Sequence, residues 1–157
     1  MTNPVVRAVS VLGCCVAFGI PAMAPAQTAN GNQAIVNGIE MDLGVMPAQA
    51  VRDLPPSEKM EHVMHRGAPN DRDMYHVNVS LFDSTTHAQI RDARVEATVE
   101  ELGMGSETKG LEAMTINHFV SYGNYFEMAS ARPYWIIVTV RRNGAPATTA
   151  RFQYQHY

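Results

Sequence analysis

The chain contains 157 residues, of which 46% are hydrophobic and 8% aromatic, and its formal net charge is −3. This length is typical of one domain and excludes two enzyme-sized domains or a polytopic membrane protein. The weak acidic balance excludes a strongly basic nucleic-acid binder, and a disulfide-stapled miniprotein is excluded because the only cysteines are the adjacent Cys14 and Cys15.

The N-terminus predicts an export signal. Arg7 is the one charged residue before an apolar run over 8–20, and small residues follow it. We expect cleavage after Ala26, so that 1–26 is a signal peptide and the protein enters the periplasm. The run is shorter than the roughly 18 to 20 residues that span a bilayer. An uncleaved N-terminal membrane anchor and a lipoprotein cleaved before Cys14 are the alternatives.

The next segments predict a leader, a first strand and a long loop. Residues 27–33 are polar and rich in Gly and Asn, which is typical of a flexible leader, and the domain proper is expected over 34–157. A first strand over 34–45 is interrupted by the turn signal Asn37-Gly38. Four prolines predict a loop over 46–72, with a short helix near 57–65.

The remainder of the chain has the two-residue period of β-strands. In 74–82, Tyr75, Val77, Val79 and Leu81 share one face, and His76 lies on the other. The same alternation predicts strands over 94–100, 109–115, 120–128, 134–142 and 148–154. About seven short strands separated by turns favour an all-β fold, specifically an immunoglobulin-like antiparallel β-sandwich.

Catalytic motifs are absent from the sequence. It contains no G-x-S-x-G, no P-loop and no H-E-x-x-H, and no cysteine follows the predicted signal. Glu100 and Glu101 are neighbours on a strand and therefore face opposite sides of it. We expect a protein that is not an enzyme.

Methionine and histidine are the residues that indicate a metal. Eight methionines follow the predicted signal, and the densest stretch contains Met60, His62, Met64 and His65. Thioether and imidazole groups together favour Cu(I), and imidazole alone suits Cu(II) and Zn(II). As a helix or as a strand, this stretch presents two ligands to one ion. The alternative is that its methionines pack against the domain and its histidines are solvated.

Two residues outside that stretch have ordinary structural explanations. An isolated histidine in the middle of a strand, such as His76, is most often a surface residue. A methionine such as Met114 is by default part of a core. Neither residue taken alone indicates a site.

The order of several segments resembles the Tpd-type periplasmic iron-transport family. The segments are Leu43-Gly44-Val45-Met46-Pro47, Tyr75-His76-Val77, Met114 seven residues before Ser121-Tyr122-Gly123, Pro133-Tyr134-Trp135 and Phe152-Gln153-Tyr154. The resemblance implies an exported β-sandwich that binds copper or another divalent metal and assists iron uptake. A looser similarity to exported sandwiches of the CopC or YtkA-like kind has a similar implication.

The family site consists of a strand histidine, a methionine, a histidine immediately before Tyr-Gly and a later loop histidine. The resemblance implies that His76 and Met114 are the first two ligands. Ser121 stands at the third position, and the 143–146 turn contains no histidine. His118, three residues before Ser121, can replace a missing donor, or Met64 and His65 can fold over the site. Otherwise the site has been lost or remade.

The sequence therefore predicts an exported monomer or homodimer that binds copper, or iron or another divalent ion, and delivers it to an inner-membrane transporter or another envelope protein. The candidate ligands are His76, Met114, His118, Met64, His65, His62 and Met60. The alternative from another class is a non-catalytic interaction or structural module of the cell envelope without a metal.

Overall fold

A computed structural model of the protein describes residues 26–29, 31–54, 67–116, 118–129 and 131–156. In these ranges there is one short helix, and no helix is long and apolar enough to cross a membrane. The elements in chain order are β1 (Gln27–Thr28), β2 (Gln33–Val36), β3 (Ile39–Pro47), α1 (Ala48–Arg52), β4 (Met74–Asp83), β5 (Arg94–Glu101), β6 (Ser106–Ile116), β7 (Phe119–Glu127), β8 (Tyr134–Arg141) and β9 (Thr148–Tyr154).

The nine strands form one continuous sheet in the order β1-β9-β8-β5-β6-β7-β4-β3-β2. All neighbours pair antiparallel except β1 and β9, which are parallel. Strand β6 belongs to both halves of the sheet, because its first part pairs with β5 as far as Leu111 and the part from Glu112 onward pairs with β7. Strand β2 also contacts β9, so the sheet closes almost into a barrel.

A single hydrophobic core fills the inside of this curved sheet. Alternate residues of each strand point into it, as the two-residue period requires. On β4 the inward residues Val77, Val79 and Leu81 are fully buried, and on β8 Ile136 and Val138 are. The residues between them face the other side of the sheet. The core therefore fixes which face of each strand is available for a site.

The predicted all-β, antiparallel fold is confirmed, but its strand count and layout differ from the prediction. The described residues form nine strands in one bent sheet instead of about seven in an immunoglobulin-like sandwich. The predicted break at Asn37-Gly38 in the strand over 34–45 separates β2 from β3, because both residues have positive φ and form a hairpin turn. The additional strand β1 lies in 27–33, the segment predicted as a flexible leader. Its two residues are too few to show an alternation.

The predicted loop over 46–72 also begins with regular structure. Met46 and Pro47 are the end of β3, and α1 follows directly. This helix contacts β3 and β4 through Ala48 and Val51, which are buried and do not belong to the central core. The helix predicted near 57–65 lies outside the described residues.

Candidate metal site

Gly123 on β7 is the point at which His76 and Met114 come together. A Cβ atom at position 123 would lie 2.5 Å from Nε2 of His76 and 2.6 Å from Cε of Met114. Those two atoms are therefore no more than about 5 Å apart. Since glycine alone leaves this space open, an imidazole and a thioether share one small volume above the strand.

The strand register explains why these side chains meet. Strand β7 lies between β4 and β6. His76 pairs with Tyr125, and Met114 pairs with Ser121, so the two residues flank Gly123 diagonally on opposite sides. All of them lie on one face, because residues two apart on a strand share a face. The site is thus formed by three adjacent strands.

Both side chains are buried, although they lie outside the hydrophobic core. His76 is 2% exposed and Met114 is 1% exposed, and neither is part of the core cluster. The His76 ring lies against the ring of Tyr125, with centroids 4.9 Å apart and planes tilted by 48°. This contact restricts the rotation of the imidazole. His76 is therefore not a surface residue, as most isolated strand histidines are, and Met114 is not part of the hydrophobic core.

Two polar residues, Asn78 and Glu112, pair with Gly123 from the neighbouring strands. Asn78 pairs with Gly123 on one side and with Gly44 on the other. Its side chain leans over Gly44, since a Cβ added there would collide with the Asn78 amide. Glu112 pairs with Gly123 from β6, on the same face as Met114. The sequence analysis did not predict Glu112. The signal that points to this position is Gly123, because a glycine inside a strand pattern indicates that other groups approach the backbone closely.

Of the three predicted ligands that lie in the described residues, the structure brings together His76 and Met114 but not His118. His118 is exposed at the turn between β6 and β7, where its φ is 72° and its carbonyl accepts a hydrogen bond from Arg91 Nη2 at 2.8 Å. It lies roughly 10 Å along the chain from Ser121, at about 3.3 Å per strand residue. The remaining candidates lie outside the described residues, namely Met60, His62, Met64 and His65.

The available donors fit a soft or borderline metal better than a hard one. In the described part of the chain no three His, Cys, Asp or Glu side chains form a group that can hold a metal ion, which excludes a zinc site with three such ligands there. The His76 imidazole and the Met114 thioether are instead the donor types that copper accepts. The arrangement can hold such an ion on a rigid sheet face.

The fold of this chain is similar to that of several solved structures. No family model matches the chain, and no curated protein matches it. Among solved structures, a DUF4426 family protein from Pseudomonas aeruginosa has a TM-score of 0.64 at 12% identity, covering 80% of this chain and 93% of its own. A copper-bound variant of FetP from uropathogenic Escherichia coli has a TM-score of 0.61 at 11% identity, covering 80% and 94%.

The copper-reconstituted P19 protein from Campylobacter jejuni is a further neighbour, with a TM-score of 0.58 at 9% identity, covering 80% of this chain and 93% of its own. The chain shares the fold of FetP and P19. The resemblance to the Tpd-type family that the sequence predicts is thereby confirmed at the level of the fold. Copper is present in these FetP and P19 structures.

Proposed function

We propose that the protein binds a copper ion in the periplasm and hands it to another protein, with His76 and Met114 as its ligands. The observation that supports this most directly is the meeting of Nε2 of His76 and the Met114 side chain above Gly123. The presence of copper in FetP and P19, which share the fold, agrees with it.

The donor set favours copper over iron. A thioether is a soft ligand that stabilises Cu(I), and an imidazole binds copper in both oxidation states. Ferrous or ferric iron without haem or sulfide is held mainly by carboxylates and histidines, and the described residues offer no group of three such side chains. Copper is accordingly the ion that we assign, as a cargo of the protein.

The site is suited to handling the ion and not to redox catalysis or electron transfer. A blue-copper centre requires a cysteine thiolate, and both cysteines of this chain lie in the predicted signal peptide. Two protein ligands leave coordination positions that a receiving protein can occupy. We propose that the receiver is an inner-membrane transporter or another envelope protein.

Copper titration of the exported protein tests the proposal. The protein purified from the periplasm is titrated with Cu(I) in competition with a chromophoric chelator. We expect one Cu(I) per chain, and an affinity at least about tenfold lower in His76→Asn and in Met114→Leu. The fold of each variant is checked by circular dichroism.

Matched substitutions elsewhere in the chain provide the controls. His87→Asn changes a histidine whose side chain is 75% exposed, and Met104→Leu changes a methionine that is 67% exposed. Both are expected to bind Cu(I) like the wild type. If the wild type binds no copper, the proposal is wrong and the chain is an envelope module without a metal. If all four variants bind copper like the wild type, His76 and Met114 are not its ligands.

Periplasmic location is tested on the same material. The predicted cleavage after Ala26 gives a protein that starts at Gln27. Intact mass measurement of the protein released by osmotic shock is expected to show this start. Recovery of the chain only in the membrane fraction, with residues 1–26 still attached, would indicate the anchor instead.

A further inference from the structure

We propose that Glu112 is a third donor of this site, and that its carboxylate lets the protein hold Cu(II) as well as Cu(I). The inference rests on the proposed copper binding at His76 and Met114 and adds a residue and an oxidation state to it. In the register of β6 and β7, Glu112 lies directly opposite Gly123.

The distances allow the carboxylate to reach the ion. Directly opposed residues in an antiparallel pair have Cβ atoms about 4.5 to 5.5 Å apart, and Nε2 of His76 lies 2.5 Å from the Cβ position at Gly123. The Cβ atom of Glu112 is therefore within about 8 Å of that nitrogen. A glutamate carboxylate extends roughly 3.5 Å beyond Cβ, which leaves a gap that one metal with bonds of about 2 Å can bridge.

The neighbouring side chains are less well placed than Glu112. Asn78 leans over Gly44, toward β3 and away from Gly123. Met46 pairs with His76 from β3, whereas Nε2 of His76 points toward β7. Ser121 offers a neutral hydroxyl, which is a poor ligand for copper. Glu112 is thus the anionic donor nearest to the meeting point in the described register.

The three donors differ in hardness, and this difference sets which ion the site retains. The Met114 sulfur favours Cu(I), the Glu112 oxygens favour Cu(II), and the imidazole accepts both. His76 and Met114 are buried, whereas Glu112 is exposed. The site therefore has a soft buried pair and a hard outer ligand, so that Cu(I) and Cu(II) each find a preferred donor there.

Separate titrations with Cu(I) and Cu(II) test the assignment. In Glu112→Gln we expect the Cu(II) affinity to fall about tenfold or more, with a Cu(I) change of less than about threefold. Met114→Leu is expected to show the opposite selectivity. The electron paramagnetic resonance spectrum of the Cu(II) form should change in Glu112→Gln, because an oxygen ligand is lost. Glu112→Asp keeps the carboxylate and should lie between the wild type and Glu112→Gln.

Glu127→Gln is the matched control, since Glu127 lies on the same face of β7 at its end, two positions past Tyr125. It should leave both affinities unchanged. The assignment of Glu112 is overturned if Glu112→Gln binds Cu(II) like the wild type with the same spectrum, or if it loses Cu(I) and Cu(II) equally. A wild type that binds Cu(I) but never Cu(II) would also overturn it, while leaving the proposed function intact.

Discussion

His76 and Met114 are on strands that do not pair with each other, and the strand between them has a glycine where their side chains meet. Hydrogen-bonded strands on both sides of β7 hold the two backbones at a fixed separation. Both side chains are buried, so they lose little conformational freedom when an ion binds. The position of Gly123 is therefore as much a part of the site as the two ligands.

Gly123→Ala tests this role of the glycine. The new Cβ would come within 2.6 Å of both His76 and Met114, which forces the imidazole or the thioether to move. We expect the Cu(I) affinity to fall at least about tenfold and the free energy of unfolding to fall by about 1–3 kcal/mol because of overpacking. Chelator competition measures the affinity, and urea denaturation measures the stability.

Gly110→Ala is the matched control for that experiment. Gly110 lies on β6, and no atom lies within 4 Å of a Cβ placed there. This variant should keep the copper affinity of the wild type. Equal affinity in Gly123→Ala and Gly110→Ala would mean that the ion does not bind above Gly123.

Met114→Leu in the metal-free protein distinguishes a ligand from a packing residue. Exchanging methionine for leucine at a buried position conserves volume and usually costs less than about 1.5 kcal/mol. We expect a metal-free Tm close to that of the wild type. Copper at 100 times the wild-type Kd should stabilise the wild type by about 2.7 kcal/mol. At the same copper concentration a tenfold weaker affinity reduces this gain to about 1.4 kcal/mol in the variant. A variant that is strongly destabilised without metal, yet stabilised by copper as before, would make Met114 a packing residue.

The strands were predictable because their patterning is local. Val77, Val79 and Leu81 alternate with polar residues, and the structure buries all three. Asn37 and Gly38 both adopt the positive φ that their turn requires, so the two residues alone predict the turn. Strand β1 could not be found in this way, since its pairing with β9 depends on residues more than 100 positions away and its own two residues are polar.

The site was less predictable because it depends on register across three strands. The family resemblance predicts His76 and Met114 as ligands, and the structure places them together. Sequence spacing alone gave no means of knowing that Glu112 faces Gly123, or that His118 is held at a turn. Proximity along the chain suggested His118 as a substitute for the missing histidine. The hairpin instead directs residues at its tip away from the strand positions that form the site.

Asp83 makes the stability of the protein sensitive to acid. Its carboxylate accepts hydrogen bonds from the backbone N–H of Thr86, the Thr86 hydroxyl and the backbone N–H of Thr85. These bonds lower the pKa of Asp83 below its usual 3.8. Since the folded state binds this proton less tightly than the unfolded state, the contribution is complete above pH 3.8 and is lost as the pH falls below it.

Asp83→Asn is expected to lower the urea midpoint at pH 7. It is also expected to lose less stability than the wild type as the pH falls below about 4. Urea denaturation at a series of pH values measures both effects. Asp53→Asn, at an exposed aspartate after α1, is the control and should follow the wild-type curve. An acid dependence in Asp83→Asn that is identical to the wild type would show that the turn does not contribute.

Tyr154 makes the stability of the protein sensitive to alkaline pH. Its partial burial raises the pKa of the phenol above 10.0, and the neighbouring Tyr75 hydroxyl adds to the effect. The folded state therefore holds this proton more tightly than the unfolded state, so the contribution to stability is complete below pH 10 and is lost as the pH rises through the folded-state pKa.

Tyr154→Phe keeps the edge-on contact with the His156 ring, whose centroid is 5.2 Å away. We expect this variant to lose one tyrosine that ionises above pH 10 in an absorbance titration and to unfold less readily at high pH than the wild type. Tyr75→Phe should lower the pKa of Tyr154 only in part, because the burial remains. An absorbance titration of Tyr154→Phe that differs from the wild type only at the low end of the tyrosine range would contradict the assignment.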